Sequence, residues 1–496
     1  MAEKTINQLA AGTGMGVAGR FGGRLLGMLA DIIAARILGP AVYGLYAIGW
    51  TIFRLAELAA PLGLDVGAIR YGAEYLDRDE AKFKGVILRS GGYAGLAGLL
   101  LGGLFFLLAP WLAGWYHKPG LLPVFRLFAF AFPLGALLAV AAAATRITKE
   151  LKYSVIVQDI GQPLAGLGLL VIFYLLGARL FGVILSEVLS YLLAVIASLY
   201  YVRKLFPRVF EAGVRSERIG GELLAFSIPA AMATVFTTLV FWVDRLLVGY
   251  FLGAAETGIY QAASHISVVF AVILGGLSRI IIPLFAELQQ QSDRHMLVEV
   301  FRVGTKWGIY LGAPVIILLL ISPGASMSVL YGGAYAAGGQ VLFILLIGQA
   351  VNLITGPVGP ALVMTGYQNA WFALSGMALA ANVLLNVVLI PALGLQGAAI
   401  ATSISLSGLF ILALVFARWR LGAWPYDRRF AKPLVAGGAA AAAVFVVSRC
   451  LHFSNLGMLL VEGIAAVLVF FGLLVLLRLD DEDWELVRVL RGMLFA

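Results

Sequence analysis

The chain has little charge for its size. Of its 496 residues, 12% are charged and 61% are hydrophobic. Soluble domains carry about 25% charged residues, so this composition excludes an ordinary soluble enzyme domain. Cysteine is nearly absent. A single one, Cys450, excludes an intrachain disulfide framework. The four histidines, at 117, 265, 295 and 452, have no metal-ligand spacing and include no His-Glu-x-x-His. No metal or other cofactor is expected. A Gly-x-x-x-x-Gly-Lys-Ser/Thr phosphate loop is also missing, which speaks against direct ATP hydrolysis. The serines are scattered through apolar segments and form no nucleophile–base constellation. Basic clusters with interleaved aromatics do not occur in any soluble segment, so no nucleic-acid partner is expected. These absences point away from an enzyme.

What is present is a series of long, continuous apolar runs. Apolar surface on this scale has to face lipid, where only helices or closed barrels satisfy their backbones. The runs do not alternate, which selects helices. A spanning helix needs about 20 residues. Roughly fourteen such spans fit the chain, near 14–38, 41–64, 85–108, 121–143, 153–177, 181–201, 223–251, 257–284, 303–322, 337–362, 369–391, 396–417, 431–449 and 456–478. The first run carries Arg20, Arg24 and Asp31 and lacks a signal-peptide core, so it is expected to be retained. The net charge of +9 sits mostly in one set of loops, including Arg78, Lys82, Lys84, Arg146, Lys149, Arg203, Lys204 and Arg428. The opposite loops offer Lys118, Arg179 and Arg449. This bias places the first set, and both termini, in the cytoplasm. Residues 479–496 mix Asp480, Asp481, Glu482 and Asp483 with Trp484, Leu486, Val489 and Leu490, the pattern of an amphipathic helix on the inner surface.

An internal repeat is legible. Leu38-Gly39-Pro40-Ala41-Val42-Tyr43-Gly44-Leu45-Tyr46 aligns with Leu252-Gly253-Ala254-Ala255-Glu256-Thr257-Gly258-Ile259-Tyr260 at an offset of about 214 residues. Spans 1–6 and 7–12 therefore read as two copies of a six-helix unit. Six is even, so both copies enter the membrane in the same sense. The resulting layout is an N-terminal lobe over 1–201, a cytoplasmic linker over 202–222, a C-terminal lobe over 223–417, two added spans within 418–478 and the tail 479–496.

The segment from Arg24-Leu25-Leu26 through Ala35-Arg36-Ile37-Leu38-Gly39-Pro40 and Tyr43-Gly44-Leu45-Tyr46-Ala47 resembles the opening of the polysaccharide-synthesis (Wzx-type) flippases. Ile69-Arg70-Tyr71 and Glu74-Tyr75 fit that pattern, and Gly258-Ile259-Tyr260-Gln261-Ala262-Ala263 looks like its second-lobe equivalent. Ile390-Pro391 with Gly394 and Gly397-Ala398-Ala399-Ile400-Ala401-Thr402 is similar to a run shared with lipid II flippases and MATE exporters. The resemblance implies two six-helix lobes around a central cavity open to each side in turn. It implies a polyprenyl-pyrophosphate-linked oligosaccharide as cargo, surrounding membrane lipids, and glycosyltransferases and a polymerase of the same pathway as partners.

Ionisable residues inside spans cost about 2.5–3.5 kcal/mol or more at the helix centre and usually face the bundle interior or a wet cavity. In span 1, Arg20, Arg24 and Asp31 fall within about 40° of one another on the helix. In span 8, Gln261, His265 and Arg279 do the same. Span 2 adds Arg54 and Glu57, span 7 adds Asp244 and Arg245, and Glu187 and Glu462 are single carboxyls. By the expected orientation Arg20, Arg24, Arg54 and Arg279 share the cytoplasmic half, where four guanidiniums suit a pyrophosphate. Arg20, Arg24, Asp31, Arg54, Arg279, Gln261 and His265 are thus the candidate cargo-binding residues. Asp244, Arg245, Glu57 and Glu187 are candidates for coupling or lobe bridging.

Plainer readings stand beside these. Arg20 can snorkel to the interface. Arg54 and Glu57, at i and i+3, can be an intrahelical pair. Asp244 and Arg245 are adjacent on a helix, point apart, and are each expected to bridge to another helix. Glu187 and Glu462 can carry a coupling proton or be hydrogen-bonded neutral acids. Two other functions remain open on the sequence. A multidrug exporter for organic cations calls for an acidic cavity, whereas the proposed one is basic. A membrane-embedded polymerase calls for a catalytic loop, and the outer loops are short.

Overall fold

A computed structural model describes residues 2–148, 152–211, 216–217, 220–239, 242–291, 293–451, 453–478, 480 and 483; within its helices the side chains of 2–18, 20, 229–237, 271–273, 276, 279, 280 and 283 lie outside the description. The regular structure among these residues is helical. Eleven helical stretches among them are long and apolar enough to cross a membrane. The chain is an all-α integral membrane protein, and it divides into two compact units, Met1–Gly258 and Ile259–Ala496.

The first unit opens with α1 (Ala2–Ala59), which breaks at Gly39, where φ is 70° and ψ 167°. Glycine takes this backbone without a Cβ clash, and Pro40 withholds the next amide donor. The break reverses the chain. The Tyr43 hydroxyl donates to the Asp31 carboxylate at 2.7 Å, yet residues 12 apart on an unbroken helix stand about 18 Å apart. The two arms, 2–38 and 40–59, therefore fold back on each other. The turn lies where the short Gly39-Pro40 loop was expected.

Next come α2 (Leu64–Tyr75), α3 (Glu80–Trp115), α4 (Leu121–Ala129) and α5 (Ala131–Thr145). Asp79 caps α3, its carboxylate accepting from the Lys82 amide at 3.0 Å. Then α6 (Lys152–Ser154) runs into a π-helical stretch, Val155–Gly161, before α7 (Gln162–Leu175) and α8 (Arg179–Leu205). The segment expected as one span over 223–251 is two helices, α9 (Gly220–Leu239) and α10 (Val243–Phe251). After it α11 (Ala254–Gln290) begins.

Small residues let these rods approach. A Cβ on Gly98 of α3 would stand 2.7 Å from the Pro133 Cα of α5. Phe53, fully buried, centres a ring cluster with Phe128, Phe132 and Tyr191 at 5.5, 5.6 and 5.4 Å. This cluster pins the second arm of α1 to α4, α5 and α8. The two repeated turns touch through their glycines. A Cβ on Gly44 would overlap the Ala254 carbonyl, and one on Gly258 would overlap the Pro40 carbonyl. Lys118 donates to the carbonyls of Gly249 and Leu252, the latter at 2.8 Å, placing a cation at the C-terminus of α10.

The second unit continues α11 and holds α12 (Arg294–Ile321), α13 (Pro323–Tyr331), α14 (Gly339–Thr355), α15 (Val358–Met364), α16 (Gln368–Leu393), α17 (Leu395–Leu421), α18 (Ala431–Cys450) and α19 (Asn455–Leu476). A polar seam ties three of them. The Tyr260 and Thr402 hydroxyls lie 3.2 Å apart, Asn382 donates to Thr402 at 3.4 Å, and Asn386 donates to the Asn382 side chain at 3.0 Å.

Beyond α19 two acidic residues of the chain are described, Asp480 and Asp483, and their carboxylates pair with lysines of α12 and α18. Lys306, on α12 and 4% exposed, meets Asp480 at 3.1 Å and Asp483 at 2.8 Å. Lys432, at the start of α18, meets Asp480 at 2.6 Å. Trp307 and Tyr310 also donate to Asp483, both at 3.3 Å. A lysine buried within a helix bundle needs counter-charge, and the acidic run supplies it. The rest of the expected tail helix lies outside the described residues.

Candidate functional site

In the first unit the second arm of α1 carries Arg54 and Glu57 one turn apart. Arg54 Nη1 donates to Glu57 Oε2 at 2.7 Å and to the Tyr191 hydroxyl at 2.8 Å. Tyr191 hydrogen-bonds Glu57 in turn, closing a triangle between α1 and α8. A Cβ on Gly135 of α5 would lie 3.0 Å from the Glu57 side chain, so the glycine leaves room for it. Glu187, one turn before Tyr191, hydrogen-bonds Trp50 and feels the charges of Arg54, Glu57 and Asp31. Asp31, Arg54, Glu57 and Glu187 thus form one polar cluster, with Tyr43 and Tyr191 as its neutral members.

The Arg54 side chain is 42% exposed and that of Glu57 16%. Both hydrogen bonds use the same nitrogen. The remaining edge, Nε and Nη2, takes no hydrogen bond among the described residues, and the side chain lines a cavity of about 300 Å³ with residues including Glu57, Asp65, Gln158, Thr238 and Trp242. That edge is the one that donates paired, parallel hydrogen bonds to an oxyanion. Among the described lining residues the charged side chains are Arg54, Glu57 and Asp65.

Two tryptophans that the sequence reading passed over join this cluster to α10. Arg54 sits 5.5 Å from the Trp50 ring centre, Trp50 and Trp242 are 5.2 Å apart, and Arg245 lies 4.5 Å from Trp242. The four side chains form a cation–ring–ring–cation run. Tyr191 was missed as well. Tryptophan and tyrosine in apolar spans read as core, and the available signal was their spacing: Trp50 one turn before Arg54, Tyr191 one turn after Glu187.

Asp244 and Arg245 are neighbours at the start of α10. They pair with each other, Arg245 Nη1 to Asp244 Oδ1 at 3.4 Å, and both are 3% exposed. The Arg245 amide also donates to Asp244 Oδ1 at 2.8 Å. The argument that neighbours diverge holds inside a helix. Here α10 has only begun, its first amides have no partner within the helix, and Asp244 turns back to accept from one.

The remaining candidates are dispersed. Arg24 is exposed on α1, and among the described residues no ion-pair partner meets it. Arg20 and Arg279 lie on α1 and α11, with side chains outside those described. In the second unit Gln261 and His265 are bonded to each other at 2.8 Å, and the Gln261 carbonyl oxygen is buried with no partner among the described residues. Among the described residues no group of three or more His, Cys, Asp and Glu is placed to hold a metal.

Comparison with known proteins follows the same lines. The chain is 25% identical over 209 residues to AglR of Haloferax volcanii, named a probable flippase, covering 42% of this chain and 44% of that one. It is 24% identical over 184 residues to the capsular polysaccharide biosynthesis protein CapF of Staphylococcus aureus, covering 37% and 46%. The chain thus spans about half the length of these curated relatives. Its fold is similar to that of the lipid II flippase MurJ in an inward closed conformation, with a TM-score of 0.73 at 13% identity over 92% of this chain and 97% of that one. The sequence profile of the family described as polysaccharide biosynthesis protein matches residues 9–289. The chain belongs to this polysaccharide biosynthesis protein family.

Proposed function

We propose that the protein flips a polyprenyl-pyrophosphate-linked oligosaccharide from the inner to the outer leaflet by alternating access, for cell-surface polysaccharide synthesis. One observation carries the reading. Arg54 is held on one nitrogen by Glu57 and Tyr191, its other edge takes no hydrogen bond among the described residues, and its side chain lines a cavity. A fixed fork of this kind is suited to a pyrophosphate. In this reading Arg54 is joined in cargo binding by Arg20, Arg24, Asp31, Arg279, Gln261 and His265. Asp244, Arg245, Glu57 and Glu187 adjust or bridge the site. The protein works in the cytoplasmic membrane with both termini inside, alongside glycosyltransferases and a polymerase of its pathway, and performs no covalent chemistry. The names of AglR and CapF, and the fold shared with MurJ, support the cargo class.

The test is flipping in liposomes. Purified protein is reconstituted with a labelled polyprenyl-pyrophosphate oligosaccharide, and exposure of the lumenal pool to an added sugar-modifying enzyme is followed in time. Protein-dependent exposure that Arg54→Ala removes is the expected result. No exposure with any sugar headgroup overturns the reading. A second reading, an organic-cation exporter, draws on the carboxylates of Glu57 and Asp65 at the cavity wall. Efflux of cationic dyes without lipid flipping selects it.

A further inference from the structure

The helix α19 carries one acid, Glu462, and the structure places it where no charge is answered. The buried positions of α19 are Glu462, Ala466, Phe470 and Leu474, one residue per turn along a single face. Glu462 heads this inward stripe, while Leu460, Ile464, Leu468 and Leu476 are exposed on the other side. The stripe is seated on α12, where the Phe470 and Tyr310 rings are 6.3 Å apart, and a Cβ on Gly463 would touch Leu318 at 3.5 Å. The Glu462 side chain is 0% exposed, and neither carboxyl oxygen has a hydrogen-bond partner among the described residues. The Ser322 hydroxyl, at the joint between α12 and α13, is placed to act on the carboxyl as a weak donor.

Charged and titratable groups on the helices packed against it are engaged elsewhere. On α12, Lys306 and Tyr310 are bonded to Asp480 or Asp483 towards the far end of α19. On α13, Tyr331 stacks with Tyr335 at 5.6 Å. On α18, Lys432 holds Asp480, and Arg449 and Cys450 are exposed, the former over the Phe445 ring. Among the described residues no cation reaches Glu462. A buried carboxylate with no counter-charge is unstable, and the smallest occupant that cures this is a proton. The acid so formed also gains a donor that can turn to the Ser322 hydroxyl.

We propose that Glu462 is an intramembrane proton-binding site whose occupancy controls the docking of α18 and α19 on the joint between α12 and α13. With the proton bound, the stripe of α19 seals against α12. With the proton lost, the carboxylate has no counter-charge in the packed state, and α19 must shift to bring it to water or to the membrane interface. The equilibrium therefore moves with pH, without any bond being made or broken other than that to the proton. This site is separate from the Arg54 cluster, and its test needs no cargo and no transport.

The native chain supplies the reporter, since Cys450 is its one cysteine and is exposed at the end of α18, five residues before α19 begins. Full-length protein in lipid nanodiscs is spin-labelled at Cys450, and label mobility is followed as pH rises. Wild type is expected to gain mobility, and Glu462→Gln, which imitates the protonated acid at constant size, is expected to stay immobile throughout. Infrared difference spectra of the same two proteins at neutral pH read the proton directly. A protonated-carboxyl carbonyl band present in wild type and lost in the variant supports the site. Absence of that band, or a pH response of the label that survives Glu462→Gln, overturns the proposal.

Discussion

Replacing Arg54 separates binding from packing. The ion pair with Glu57 is 2.7 Å long, but the Arg54 side chain is 42% exposed. A pair so open to solvent is worth about 0.2–1 kcal/mol of stability. Arg54→Ala should therefore fold and melt close to wild type. Its effect on cargo is larger. Two hydrogen bonds from Nε and Nη2 to a pyrophosphate, at the lower bound of about 1.5 kcal/mol each for charged groups, sum to about 3 kcal/mol. At 1.4 kcal/mol per decade that is roughly a 100-fold loss in initial flipping rate at limiting cargo. Lysine keeps the charge and loses the fork, so Arg54→Lys should recover about half of that free energy, or roughly tenfold. The assay is lumenal exposure of labelled lipid-linked oligosaccharide in proteoliposomes, with thermal unfolding in detergent measured on the same preparations. Wild-type flipping by Arg54→Ala refutes the assignment. Equal rates for Arg54→Lys and wild type refute the role of the fork while leaving a need for charge.

Three further outcomes follow from the packing. Lys306→Met strands Asp483, which is 2% exposed, and should cost about 3 kcal/mol in detergent unfolding, partly restored by a second change, Asp483→Leu, that removes the orphaned charge; equal stability of wild type and Lys306→Met would show that the cluster contributes nothing. Burial pushes the Asp480 carboxyl up, but hydrogen bonds and charges from Lys432 and Lys306 outweigh this and hold it below the usual carboxylate range. Its contribution to stability is then complete above its unfolded value of about 3.9 and disappears as pH falls through the lower folded value. Melting temperature followed from pH 7 into acid should fall less steeply in Asp480→Asn than in wild type, and parallel curves would count against the linkage. Gly258→Val drives side-chain atoms into the Pro40 carbonyl and should abolish monodisperse protein on size exclusion, whereas a monodisperse variant would mean that the repeated turns do not meet as described.

The apolar runs made the fold class legible because lipid leaves so few alternatives to a helix. The turn at Gly39 was legible for a local reason, a glycine and a proline together between two apolar stretches. The break between α9 and α10 was not, since nothing in Leu239-Val240-Phe241-Trp242 interrupts hydropathy. At that helix start the first amides lack helical acceptors, and Asp244 takes the one from Arg245. Arg54 and Glu57 were readable as an i, i+3 pair, yet their third member, Tyr191, lies 137 residues from Arg54 and only the packing of α8 on α1 supplies it. Glycines carried the same information in another form. Gly135 looks unremarkable in an alanine-rich run until Glu57 occupies the space beside it. The pairing of Asp480 was hidden for the same reason as that of Arg54 with Tyr191, since the buried Lys306 that meets it is 174 residues away.

The carboxylates around Arg54 bear on how such a site would let its cargo go. A carrier gains nothing from the tightest possible site, since bound cargo must also leave. Glu57 occupies Nη1 and offsets part of the positive charge, so a pyrophosphate arriving at Nε and Nη2 meets a weakened cation. Glu57→Gln keeps the size of the side chain and a hydrogen-bonding contact to Tyr191 while removing the negative charge. Binding of inorganic pyrophosphate to the purified protein should tighten, by about tenfold if the lost repulsion is near 1.4 kcal/mol. Flipping at saturating cargo should slow, because release becomes the harder step. Weaker binding in Glu57→Gln would mean that the carboxylate serves to orient Arg54 more than to oppose its ligand, and unchanged binding would place the pyrophosphate elsewhere in the protein.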